Sequence, residues 1–192
     1  MRFFARFLLV GSLAVLPAAA QNGITIEPLA GLSIPTDSDF GDFFNTGMVL
    51  GARVGYQVAD NVDVTVGATY NRFKSDDFSV GSAAAKSSGI QGVSGSVTWS
   101  ILAPRAGVRY TIPTQGTVGF HLQADVGLAR QKEKFGSFES ESESDLLFGV
   151  GGAICYHFTP TAAVTVGPMF NYINAEETYH FLDVFVSVIF GL

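Results

Sequence analysis

The stretch HFLDVFVSVIFGL, residues 180–192, carries an apolar side chain at every second position from Leu182 onward: Leu182, Val184, Val186, Val188, Phe190 and Leu192. Strict alternation is the mark of a strand whose two faces meet different surroundings. In a soluble protein the apolar face packs inward and charge faces water. In a strand that crosses a bilayer the apolar face points outward, charge is held inside a closed barrel, and every backbone group must be paired. The rest of the chain decides between these.

The same alternation recurs in eight segments, near residues 24–34, 47–58, 62–73, 102–112, 117–130, 146–158, 163–173 and 181–192. Three connections are tight (Ala59-Asp60-Asn61, Pro113-Thr114-Gln115-Gly116, Thr159-Pro160-Thr161) and four are longer (35–46, 74–101, 131–145, 174–180), the rhythm of an up-and-down meander. The even-numbered face carries residues such as Ile26, Leu50, Val66, Leu102, Leu122, Val150 and Val166, and, taken as far as Tyr70 in the third segment and Leu128 in the fifth, it has no charged side chain and no hydroxyl except tyrosine. The odd face carries Glu27, Arg53, Asp63, Arg105, Arg109, His121, Gln123, Asp125, His157, Asn171 and Asp183, interspersed with glycine. A soluble barrel around a greasy ligand needs a charged exterior, and this polar face is too rich in glycine for that. It suits a narrow lumen. The aromatics agree: Tyr56, Tyr110, Phe120, Tyr156 and Phe158 fall where strands meet short turns, and Tyr70, Phe148 and Tyr172 where strands meet long loops. Two such girdles are expected at the two surfaces of a bilayer. The fold expected is all-β, an eight-stranded antiparallel up-and-down transmembrane β-barrel, with residues 181–192 closing on residues 24–34.

Residues 1–20, MRFFARFLLVGSLAVLPAAA, place Arg2 and Arg6 before an apolar run and end in small residues, the layout of a secretory signal peptide. Residues 21–192 then form one barrel domain. Removing Arg2 and Arg6 leaves 9 basic against 17 acidic residues, so the formal charge falls from −6 to −8. An acidic chain of this kind argues against nucleic acid as a partner. Cys155 is the single cysteine, so no internal disulfide is possible.

With these features on the page, the chain resembles the small eight-stranded outer-membrane barrels of Gram-negative bacteria, the OmpA-like transmembrane domain, OmpX and opacity-porin group. The resemblance covers residues 21–192 and implies short periplasmic turns, long outer loops, a usually monomeric barrel, and a last strand, 181–192, read by the outer-membrane insertion machinery. The family pattern usually ends on an aromatic residue, whereas this chain ends on Leu192 with Phe190 before it. Export through the inner membrane to the outer membrane follows from the same resemblance, with outer-membrane lipids and lipopolysaccharide as surroundings.

Antiparallel register pairs residues whose numbers have a nearly constant sum. It predicts a lumen ladder of Glu27 with Arg53 and of Asp63, Arg105 and Asp125, with Arg109 and Asp183 nearby, read mainly as a self-satisfying plug and otherwise as a gated path. It also sets His121 opposite His157 and Gln123 opposite Cys155. Two histidines and a cysteine could hold a soft metal ion, but the preferred reading is hydrogen-bonded lumen side chains with no metal and no cofactor. A lipid-modifying enzyme would need a nucleophile and base near the outer rim, where His180 lies among loop serines such as Ser75, Ser79, Ser137 and Ser140. The family's deacylase resembles a His-x-Ser arrangement, and none of the three histidines has a serine two positions later.

The loops PTDSDFGDFFNT (35–46) and FGSFESESESD (135–145) mix acids with phenylalanine, suiting solvent, divalent bridging to lipopolysaccharide, or a partner. Apolar parity switches from odd (Val97, Trp99, Ile101) to even (Leu102 onward), which predicts a β-bulge near Ile101. GVGGA (149–153) superficially resembles a nucleotide loop, but it lies inside an alternating strand. The function expected is a non-enzymatic integral outer-membrane barrel with a structural or surface-interaction role through its loops; a lipid-modifying enzyme and a small pore are the alternatives.

Overall fold

The computed structural model describes residues 23–76, 78–80, 93–135, 138–159, 161–176 and 178–192. Residues 1–20, expected from the sequence to be a signal peptide, Pro160 in the third turn and Ser137 in the loops lie outside the described residues. Among the described residues there are ten strands, β1 Ile24–Pro35, β2 Gly47–Ala59, β3 Val62–Lys74, β4 Phe78–Val80, β5 Val93–Gly95, β6 Val97–Ile112, β7 Val118–Phe135, β8 Phe138–Thr159, β9 Ala162–Asn174 and β10 Tyr179–Gly191, and one short helix, α1, at Ser38–Phe43. Eight of them close in the order β1-β10-β9-β8-β7-β6-β3-β2, all antiparallel, while β4 and β5 form a separate small hairpin. β10 pairs with β1 from Thr25↔Gly191 to Pro35↔Phe181, so the stretch that opened the sequence reading closes the barrel. Closure removes both sheet edges, the condition for burying a sheet in lipid.

Through the body of the barrel even positions point outward and are mostly exposed, as at Leu50, Val66, Leu122 and Val150, while odd positions point inward and are mostly buried, with exceptions at the strand ends such as Ile24, Gln57 and His157. The tight turn between β2 and β3 uses Asp60 and Asn61 between the paired Ala59 and Val62, with Asn61 at φ 63°, a left-handed conformation that asparagine tolerates. GVGGA lies wholly within β8.

Two expectations need correction. No bulge occurs near Ile101: Tyr70↔Leu102, Asn71↔Ile101 and Arg72↔Ser100 run in unbroken register. The apolar parity changes because the strand leaves one environment for another. Trp99 and Ile101 point into the barrel and are buried, while Thr98 and Ser100 point out. Above the hydrocarbon the outside is water, and the ordinary soluble polarity returns. The second correction concerns residues 131–145, which are largely strand: β7 and β8 continue past their neighbours, with Lys132↔Glu141, Glu133↔Ser140, Lys134↔Glu139 and Phe135↔Phe138 in register after a shift between Arg130 and Lys132. β9 reaches only Asn174, opposite Leu146. The β7–β8 hairpin therefore stands clear of the barrel rim on its β9 side.

Candidate functional site: the barrel lumen

The lumen is divided by height. Toward the end of the tight turns it is a continuous polar ladder. Arg109, on β6, is the hub of its lowest part: Nε and Nη2 donate to Asp63 Oδ2 at 2.9 and 2.7 Å, Nη1 to Glu27 Oε2 at 2.9 Å, and Nη2 also to Thr25 Oγ1 at 3.2 Å. Glu27 Oε1 accepts from Ser187 Oγ at 2.6 Å and lies 3.6 Å from Arg53 Nη1. Ser187 in turn bonds Thr165 through their hydroxyls. Arg53 reaches Asp125 at 4.0 Å and stands 5.3 Å from the centre of the Phe185 ring. Asp125 lies 3.7 Å from Arg105 Nη1 and accepts from Gln123 Nε2 at 2.8 Å.

Arg105 carries the ladder upward without an acid, donating to Asn171 Oδ1 at 3.0 Å and Thr69 Oγ1 at 2.8 Å. Asn171 then donates to Asp183 Oδ2 at 2.9 Å, and Asp183 Oδ1 accepts from Ser33 Oγ at 2.5 Å and Asn71 Nδ2 at 2.8 Å. Every one of these side chains is buried except Thr25 and Asp63. Charges so placed persist only because each has an opposite charge or several hydrogen bonds.

Glycine makes the ladder fit. Gly67 lies opposite Arg53 on β2 and opposite Arg105 on β6. A Cβ at Gly67 would stand 2.3 Å from Ala52 O and 2.9 Å from Arg53 Cα; one at Gly107 would stand 2.1 Å from Asp125 Oδ1. The backbones approach so closely there that only hydrogen fits.

Of the expected pairs, Glu27 and Arg53 stand opposite each other, and Arg105 reaches Asp125. Asp63 does not pair with Arg105: it lies opposite Arg109, four residues on, while Arg105 lies opposite Gly67. His121 is opposite Ala153 rather than His157, and Gln123 opposite Gly151 rather than Cys155. His121 Nδ1 bonds Thr111 Oγ1 at 3.0 Å, and Cys155 Sγ lies 3.4 Å from His157 Nε2. Among the described residues no three histidine, cysteine or carboxylate side chains converge to hold a metal ion, so His121, Cys155 and His157 do not form the soft-metal triad weighed from register. Of the eight rim aromatics, Tyr56, Tyr70, Tyr110, Phe120, Phe148, Tyr156 and Phe158 are exposed on the outer wall, and Tyr172 is half-buried between Phe148 and His180.

At the loop end the lumen is apolar, which sequence reading missed. Phe73, Trp99, Ile101, Ala103, Ala129, Leu147, Ile173 and Phe181 form one buried cluster from β3, β6, β7, β8, β9 and β10. Phe40 of α1 drops into it from above, with ring centroids 4.6 Å from Trp99 and 5.1 Å from Phe73. Tyr179 flanks Phe40 and Trp99. The signal was present, since all these strand residues are odd-numbered and cluster where the run of outward apolar positions ends. His180 sits outside this plug, 3.6 Å from Asp37 and against the rings of Tyr172 and Phe170. Ser75 is engaged with the backbone of Asp76 and Val97.

The sequence matches the outer membrane protein beta-barrel domain over residues 5–190. The chain belongs to this outer-membrane β-barrel family. No curated protein matches it. Among solved structures, the barrel is similar to Neisserial surface protein A, at 18% identity over 87% of this chain and 96% of that one, with a TM-score of 0.64. It is also similar to the N-terminal β-barrel domain of Pseudomonas aeruginosa OprF, at 14% identity over 89% and 98% of the two chains, with a TM-score of 0.53. At such identities the likeness is one of fold. As an outer-membrane barrel, the protein presents its even-numbered wall to lipid hydrocarbon.

Proposed function

We propose that this outer-membrane barrel is a non-enzymatic, non-conducting scaffold that works at the cell surface through its loop end. The observation that carries the reading is the sealed lumen: an apolar plug capped by Phe40 lies above a ladder whose charges are spent on one another. Water and ions need a continuous polar path, and the plug interrupts it. What projects beyond the rim is the β7–β8 hairpin, whose β8 arm alternates glutamate and serine from Glu139 to Ser144. Its acidic character favours solvent-facing contacts with a partner or divalent-bridged lipopolysaccharide. Against an enzyme stands the setting of His180, whose partners among the described residues are a carboxylate and aromatic rings, while Ser75 is bonded to backbone. Export by residues 1–20 and insertion guided by residues 181–192 belong to the same proposal.

The test is single-channel recording on folded protein in planar bilayers, for the wild type and Arg105→Ala. Silence in both is expected. Steady conductance that responds to Arg105→Ala would overturn the reading and make the lumen charges part of a working path.

A further inference from the structure

The outer wall of the barrel carries no charge while it faces hydrocarbon, and where the strands emerge the outward-facing charge on β3 and β7 is all positive, while Glu133 of β7 lies on the inward parity opposite Trp99. Arg72 and Lys74 on β3 and Arg130, Lys132 and Lys134 on β7 all occupy even, outward positions on the two strands flanking β6. Ser100 of β6 lies between Arg72 and Lys132 in register, and Leu102 lies between Tyr70 and Arg130. Lys132 and Lys134 have glutamates opposite them in register on β8, whereas Arg72, Lys74 and Arg130 have no acidic residue opposite them on a neighbouring strand. Among the described residues none of these three makes an ion pair, and all three are exposed.

Height makes the patch specific. A strand tilted by roughly 40° rises about 2.5 Å per residue along the barrel axis, so the step from Val62 at the turn end to Arg72 covers about 25 Å, the height of an outer-membrane barrel's apolar band. The patch thus sits at the level of lipid head groups. Level with Arg130 and below Arg72 the wall turns apolar at Leu102 and at Tyr70, whose hydroxyl donates to Ser100 Oγ at 3.2 Å. Strands spaced about 4.8 Å apart put β3 and β7 about 10 Å from each other, a gap that two arginine side chains can close on one tetrahedral anion between them.

We propose that this wall binds the phosphorylated head group of an outer-leaflet lipid, with Arg72 and Arg130 sharing a phosphate, Lys74 adding charge, the Ser100 hydroxyl donating from the strand between them, and acyl chains lying on Tyr70 and Leu102. A lipid-borne phosphate is favoured over a free anion because the apolar wall below holds the chains and so fixes the phosphate at this depth. The acidic loops around the rim repel an anion that has no such anchor. The proposal requires the loop end to face the cell exterior but does not depend on the lumen being closed.

The test uses folded protein in neutral detergent with three probes: bisphosphorylated lipid A, the same lipid with both phosphates removed, and inorganic phosphate, with bound lipid counted by native mass spectrometry. Wild type is expected to retain the phosphorylated lipid about tenfold better than the dephosphorylated one. Arg72→Gln combined with Arg130→Gln should abolish that preference while keeping the heat-modifiable mobility of a folded barrel, and Asp60→Asn at the opposite rim should leave it intact. Independently of any variant, wild-type retention should fall as salt rises from about 0.05 to 0.5 M, because exposed charges are screened. Equal retention of both lipids, an unchanged preference in the folded double variant, or no response to salt would overturn the site. Displacement of the lipid by millimolar inorganic phosphate would overturn the lipid assignment in favour of a soluble anion.

Discussion

The two halves of the lumen solve the same packing problem with opposite chemistry. Toward the turns, inward positions are filled by Arg53, Arg105 and Arg109 against Glu27, Asp63, Asp125 and Asp183, with glycine opposite the long side chains. Toward the loops, inward positions are filled by Phe73, Trp99, Ile101 and Phe181 with Phe40 as a cap. The difference follows from what lies outside. Where the outer wall meets hydrocarbon, outward positions already hold the apolar residues, and the inside can be polar provided each group is paired. Where the outer wall meets water, the inside must supply the hydrophobic core. One strand therefore changes polarity twice over, across its thickness and along its length.

The sharpest way to break this comparison is at the point where the ladder is tightest. Gly67→Val puts side-chain atoms into the backbone of β2, at a place where even a Cβ meets Ala52 O at 2.3 Å. We expect loss of about 4 kcal/mol or more, read as failure to gain the heat-modifiable folded band; a normally folded variant would show that the strands can separate there at little cost. Next in size is Arg109→Ala, which strands Glu27 and Asp63 and should cost about 3–5 kcal/mol in urea unfolding. Adding Glu27→Gln and Asp63→Asn should recover a good part of that loss, because the penalty lies in unpaired buried charge. If the triple variant is no more stable than Arg109→Ala, the ladder acts by shape and not by charge.

Phe40→Ala probes the other half. It should cost about 3 kcal/mol at most, since α1 can relax. The more telling readout is Trp99, the single tryptophan, whose emission should shift to the red and become open to acrylamide quenching. An unchanged spectrum would mean that the ring of Phe40 is not what seals the mouth. The smallest effect is expected from replacing residues 132–142 by an Asn-Gly turn, which removes the hairpin extension and the strand partners of Val97–Ser100 but none of the side chains of the ladder or the plug. Stability should change by less than about 1 kcal/mol, as exposed loop tips usually tolerate deletion; a larger loss in urea would show that the extension braces the barrel.

The register of the lumen was only partly legible. Glu27 meets Arg53 because the first long loop is nearly symmetric about its midpoint, so a constant sum locates the pair. The second connection contains its own hairpin, β4 with β5, and its length does not reveal how β3 and β6 align; Asp63 accordingly faces Arg109 and not Arg105. The displacement of His121 from His157 has the same origin, since the β7–β8 connection is mostly strand and its pairing shifts between Arg130 and Lys132. At Ile101 the pattern was visible but its cause was not, because a parity switch in sequence looks the same whether the backbone bulges or the surroundings change.

What the amino-acid order determined by itself was the wall: period-two alternation, an uncharged even face and aromatic rims leave a closed barrel in lipid as the consistent outcome, because every backbone group in hydrocarbon must be paired. What the tertiary structure decided was the interior. Which arginine meets which carboxylate depends on loop geometry, and the plug exists only where α1 folds back over the mouth. These contacts join residues far apart in the chain, and no local propensity encodes them. The height at which the strands leave the membrane was written in the sequence as a change of parity, but only the closed barrel makes it readable.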